Sequence, residues 1–124
     1  FDNIAQYVRD GGAVLVDAGS DYASQFSIWH TPLDSILPAE PSGQVTDQAF
    51  HPRLTDLGKR HPVTRGLEGS NTDPPHWSQW FRVVDSANTT GTTIMKGPDD
   101  KPLLVLGRQG DGRVALLLSD QMWL

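Results

Sequence analysis

Apolar residues at the start of the chain fall at Phe1, Ile4, Ala5 and Val8, the i, i+3, i+4, i+7 spacing of one helix face. Asp2 or Asn3 supplies an acceptor for the free N–H groups of the first turn. Gly11-Gly12 is the expected stop, because glycine takes the left-handed conformation that ends a helix. The pattern then changes. Ala13-Val14-Leu15-Val16 is apolar on successive residues, where a strand with one wet face would alternate. A run this short and half valine predicts a strand rather than a second helix. Its continuity predicts cover on both faces, as in a parallel sheet between helix layers.

The same continuity returns near the other end. Leu103-Leu104-Val105-Leu106 and Val114-Ala115-Leu116-Leu117-Leu118 flank Gln109-Gly110-Asp111-Gly112. Two apolar runs around a Gly-Asp-Gly turn predict an antiparallel hairpin. Ala13–Val16 is expected in the same sheet. Between these blocks the signals are weaker. Ser20–Trp29 reads as a polar-aromatic loop with one helical turn at Tyr22–Phe26. Thr31–Leu37 reads as a short helix, with Thr31 as cap and Pro32 in the first turn. Glu40–Asp47 reads as a linker, and Gln48–Leu54 as a strand that Pro52 consigns to an edge. Leu54–Leu67 reads as turns anchored by Leu57, Val63 and Leu67, and Glu68–His76 as a loop. Arg82–Asp85 and Thr92–Met95 complete the expected strands.

Three continuous strands ask for cover on both faces, yet one full helix and one short one are visible. The mismatch predicts a single domain over residues 1–124 that is part of a longer chain and tends to self-associate through uncovered apolar surface.

Composition narrows the function classes. The net charge is −5 and the pI is near 5.1, against the clustered Lys and Arg of a nucleic-acid footprint. No apolar run reaches the length of a membrane span, so this segment is not expected to insert in a membrane. The chain has no cysteine, which removes disulfides, thiolate metal sites and a thiol nucleophile.

Candidate chemistry gathers where the first strand ends. Asp17, Ser20 and Asp21 follow Val16, and open α/β sheets bind ligands outside the carboxyl ends of their strands. The competing reading is a polar loop closed by side-chain turns. Gly19 alone is no phosphate-binding fingerprint. GxSxG is absent, which speaks against a serine hydrolase. His30, His51, His61 and His76 share no metal-binding spacing, and neither metal nor cofactor is expected. Trp29, Trp77, Trp80, Trp123, Phe50 and Phe81 are expected to pack rather than form an exposed cluster.

The segments YVRDGGAVLVDAGSDYA, HTPLDSILP, RLTDLGKRHPVTRGL and KPLLVLGRQGDGRVALLLSDQMW occur in this order over most of the chain. Together they resemble the glutamine amidotransferase-like domain of large bacterial membrane-anchored proteins. The resemblance implies a class I glutamine amidotransferase-like fold: flavodoxin-like, a three-layer α/β/α sandwich, here an incomplete fragment ending in an antiparallel hairpin. It also implies a nucleophilic cysteine in the turn after the first strand, a position that Asp17 holds, and a histidine near Ser119-Asp120-Gln121, where there is none. A thiolate with a base beside it is what such chemistry needs.

The resulting expectation is a non-catalytic amidotransferase-like module of a larger envelope-associated protein. It would bind a ligand or partner (other domains of its parent chain, or separate proteins) through Asp17, Ser20, Asp21 and Asp120. The rival is a hydrolase using carboxylates in the same cleft: Asp17, Asp21 and Asp120.

Overall fold

The computed structural model describes residues 2–24, 27–69, 75 and 77–119; the side chains of Ser20, Asp21 and Ile28 fall outside that description. The α-helix α1 (Asp2–Arg9) leads into strand β1 (Ala13–Asp17). Short 3-10 turns over Ser20–Ala23, Ile28–His30 and Pro32–Ser35 follow. Strands β2 (Ala39–Phe50), β3 (Arg53–Leu54), β4 (Trp80–Thr89), β5 (Thr92–Lys96), β6 (Pro102–Gln109) and β7 (Gly112–Leu117) make up the rest, with a 3-10 turn at Pro98–Asp100.

The main sheet has the order β1-β7-β6-β5-β3, and β2 and β4 form a separate two-stranded ribbon. β6 and β7 pair antiparallel across Gly110-Asp111, with Gln109 opposite Gly112. Gly110 takes a φ of 58°, which its missing Cβ permits. β1 runs parallel to β7, Ala13 beside Arg113 and Asp17 beside Leu117. Both the hairpin and the shared sheet expected from the apolar runs are therefore present.

The three-layer, flavodoxin-like α/β/α sandwich is not. Among the described residues there are seven strands and a single α-helix of eight residues. One parallel pair, β1/β7, is set in an otherwise antiparallel sheet. Much of the departure comes from Ala39–Phe50, where a linker was expected over Glu40–Asp47. It forms a twelve-residue strand whose register shifts around Pro41 and again before Phe50. Proline is tolerated there because a two-stranded ribbon is all edge, and Gly43, at φ 87°, bends the strand through its irregular stretch. Thr31–Leu37 forms only a 3-10 turn, though Thr31 caps it as expected, accepting from Leu33 N–H at 3.2 Å.

Registers divide the main sheet into two faces. Val14, Val16, Val114, Leu116, Val105 and Leu103 share one, and the last four of these are buried. This face carries the core: α1 contributes Ala5 and Val8, the turn at residues 32–37 contributes Leu33, Ile36 and Leu37, and the ribbon contributes Val83 and Val84. Phe50 and Trp80 pack edge to face in the ribbon with centroids 6.4 Å apart. Val84 N–H donates to Leu118 C=O at 2.8 Å, tying the ribbon to the end of β7.

Ala13, Leu15, Ala115, Leu106 and Leu104 lie on the second face. Its cover comes from the turns at 55–67, seated on β5 through Thr55 N–H to Ile94 C=O and Thr55 Oγ1 to Thr93 C=O. That cover is incomplete. Leu57 and Val63, expected as anchors, are 44% and 58% exposed, and buried Thr64 anchors the segment by donating its hydroxyl to Gly58 C=O. Among the described residues no helix is long and apolar enough to cross a membrane.

Candidate functional site

Two places in this fold offer chemistry or contact. The first is the carboxyl end of the parallel pair. Ala18 N–H donates to Leu117 C=O at 2.8 Å, carrying the ladder one residue beyond β1. The chain then turns sharply, Tyr22 N–H donating to Gly19 C=O at 3.0 Å. Asp17 thus closes β1, and Ser20 and Asp21 open the 3-10 turn directly after it. Tyr22 locks this turn: its buried hydroxyl donates to Ala39 C=O at 2.7 Å. Burial, reinforced by the nearby Glu40 carboxylate, pushes its phenol well above the ordinary tyrosine range.

Asp17 is half-buried, with Oδ1 shut off from solvent. Ser119 lies two residues past Asp17's register partner Leu117 and is 1% exposed; its Oγ is buried with no hydrogen-bond partner among the described residues. A buried hydroxyl without a partner is uncommon and marks a place for a ligand, a water or a neighbouring group. Ser119 was missed as a binding residue because nothing local in the sequence marks its burial; β4 and β6 reach the adjacent Leu118, through Val84 N–H and Leu103 C=O. Asp120 lies outside the described residues, as do His76 and Trp123. The histidines that are described do not converge: His30 is exposed, and His61 Nδ1 accepts from Val63 N–H. No cluster of three metal-ligating side chains occurs among the described residues.

The second place is the open face of the sheet. A groove of about 800 Å³ runs between β1, β7 and β6 on one side and the 55–67 turns on the other. Leu15, Leu57, Val63, Leu106 and Ala115 line it, with Arg113 at one end. Leu15, at the middle of β1, is 61% exposed. The continuous run Ala13–Val16 had pointed to cover on both sides. Among the described residues the Val14/Val16 side carries the core, and the Leu15 side has only the partial cover of the 55–67 turns.

Among the described residues no strand lies beyond β1 on the side away from β7, and that outer edge borders the same surface. Arg113 N–H donates to Gly12 C=O, and Ala18 N–H donates to Leu117 C=O. In a parallel ladder this alternation turns the main-chain groups of residues 12, 14, 16 and 18 toward β7. Those of Ala13, Leu15 and Asp17 point away from it.

No protein-family model matches the chain, and no curated protein matches it. Among solved structures it is similar to the cytoplasmic protein STM1381 from Salmonella typhimurium LT2, with a TM-score of 0.76 and 22% identity over 99% of this chain and 50% of that one. It is similar also to the cytoplasmic protein STM3548 from Salmonella typhimurium, with a TM-score of 0.74 and 24% identity over 96% of this chain and 48% of that one. A β-galactosidase from Bacillus circulans sp. alkalophilus matches with a TM-score of 0.61 and 11% identity, over 96% of this chain and 18% of that one. At these identities the likeness is one of fold. The chain spans about half the length of the two Salmonella proteins.

None of these three is described as an amidotransferase, and two are titled cytoplasmic proteins. The flavodoxin-like fold implied by the resemblance is thus corrected by the strand-rich architecture that these neighbours share, and none of them supports an amidotransferase-like assignment.

Proposed function

We propose that this chain is a non-catalytic module that binds a polypeptide partner through the open face of the sheet around Leu15. The observation that carries this reading is Leu15, a large apolar side chain 61% exposed at the centre of a strand and at the rim of an apolar groove. Exposed apolar surface of this kind marks interaction sites. The chemistry of the chain agrees. Glutamine hydrolysis in amidotransferase-like domains needs a thiolate to attack and an imidazole to move its proton. The chain has no cysteine, and Asp17 holds the end of β1. A carboxylate there is a poor nucleophile toward an amide, and its charge opposes a developing oxyanion.

An anilinonaphthalene dye titrated at protein concentrations low enough to keep the chain monomeric tests the surface. Wild type is expected to bind it, and Leu15→Lys and Val63→Lys to bind it several-fold less. Equal binding by all three would overturn the partner-binding reading. No ammonia is expected from glutamine under the same conditions.

A second reading, hydrolysis by carboxylates at the strand ends, is favoured by the solvent-shielded Asp17 Oδ1 and by the buried Ser119 Oγ, two residues past Asp17's register partner Leu117. Turnover of an amide or ester that is lost in Asp17→Ala would establish it in place of the first.

A further inference from the structure

The open groove is apolar in its middle and basic at one end. On the open face of the main sheet, Leu15, Ala115 and Leu106 form one cross-strand row, and Ala13, Arg113 and Arg108 form the next. The two arginines thus stand directly opposite each other on β7 and β6, both exposed and both lining the groove. Like charges so placed oppose strand pairing. Among the described residues neither guanidinium has a hydrogen-bond or ion-pair partner to offset the repulsion.

The surroundings sharpen the contrast. The chain has a net charge of −5, yet among the described residues no aspartate or glutamate lines the groove. The turns at 55–67 that wall it carry Lys59, Arg60 and Arg65 against one acid, Asp56. Asp111, in the turn between the two arginines, forms no ion pair with either. His61, in the lining, accepts from Val63 N–H at Nδ1, which leaves Nε2 to carry a proton and donate. A sequence that sets two unpaired cations side by side on a sheet accepts a local cost, and such costs gather at functional sites.

We infer that the polypeptide taken by this groove is an aliphatic segment carrying a carboxylate at one end. This rests on the partner-binding reading of the same surface and names the chemistry of the partner. Leucine, isoleucine or valine side chains of the partner cover Leu15, Ala115 and Leu106. Its aspartate or glutamate meets Arg108 and Arg113, whose planar forks each match a carboxylate with two parallel N–H donors. The spacing is set by the sheet. The arginine row lies two residues along the strands from the apolar row, roughly 7 Å. Alternate residues of an extended chain have the same separation, so the recognised pattern is an aliphatic residue and an acid two positions apart.

A random twelve-residue peptide library displayed on phage, selected on the wild-type 124-residue chain and depleted on Leu15→Lys, tests the inference. Enriched sequences should pair leucine, isoleucine or valine with aspartate or glutamate two positions away. Fluorescence anisotropy with the most enriched peptide should show affinity falling several-fold from low to high salt, and again in the double variant Arg108→Gln/Arg113→Gln. Replacing the acids of that peptide by their amides should abolish both sensitivities. The double variant should keep the wild-type circular dichroism and melt no lower, because both side chains are exposed and their removal relieves a repulsion. Enrichment without acids, or acidic peptides that bind the double variant as tightly as wild type, would overturn the acidic partner and leave the partner-binding surface standing. Displacement of the peptide by laurate at lower concentration than by unlabelled peptide would replace the polypeptide with a fatty acid. A library in which no sequence distinguishes wild type from Leu15→Lys would overturn both ideas.

Discussion

Tyr22 carries its phenol into the core and donates it to Ala39 C=O, so ionisation would bury a charge and break a bond. Its folded pKa lies above the unfolded value, which makes the sign definite. The folded state keeps a proton that the unfolded chain gives up, so stability is intact below about pH 10 and falls as pH rises beyond it. Urea unfolding between pH 8 and pH 11 should show this decline in wild type. Tyr22→Phe should lose about 0.5–1.5 kcal/mol at neutral pH for the missing hydrogen bond and show a shallower alkaline decline. Leu116 tests the opposite kind of site. It has no exposed surface and lies in register with Val16 and Val105 on the core face. Leu116→Ala should cost about 2–5 kcal/mol, read from the denaturant midpoint at unchanged slope.

At the scale of elements, the contact that fixes α1 against the sheet is between the helix end and the β6–β7 turn. Asp111 N–H donates to Arg9 C=O at 3.1 Å, satisfying one of the carbonyls a helix leaves open at its C-terminus. Gly112 sits so close beneath α1 that a Cβ there would lie 1.7 Å from Val8 C=O. Gly12 C=O would lie 2.6 Å away, and both carbonyls are backbone that cannot swing aside. Gly112→Ala should therefore lower stability by about 2–3 kcal/mol and reduce the helix signal in circular dichroism together with the melting temperature.

These elements were legible because their signals are local: the glycine stop after α1, the valine-rich run of β1, the Gly-Asp-Gly turn. The ribbon was not. Pro41 and Gly43 read as breakers, and nothing in the sequence says that the strand opposite them is Trp80–Thr89, some forty residues away. The extent of burial was misread for a related reason. A run such as Ala13–Val16 reports that a strand is apolar on both faces, and only the arrangement of the neighbours decides whether both are covered. Of the candidate site, Asp17 could be placed because it ends a recognisable strand. Ser119 could not, since its burial comes from chain that reaches it only in three dimensions.

For the whole molecule, one feature governs how it comes into being. The β1–β7 ladder joins Ala13 to Arg113, a hundred positions apart. During synthesis at about 5–20 residues per second, β1 leaves the ribosome about 5–20 s before the strand it pairs with. For that interval both of its edges are open and its apolar faces have no sheet to join. Every later strand of the main sheet has a partner nearer in sequence: β5, β6 and β7 zip as a meander. β1 must wait and then dock onto the finished hairpin, crossing the large loop-closure cost of so distant a contact last. The newborn chain is thus most exposed to misassociation at its first strand, and a holdase that recognises short aliphatic segments would find Ala13–Val16 before β7 does.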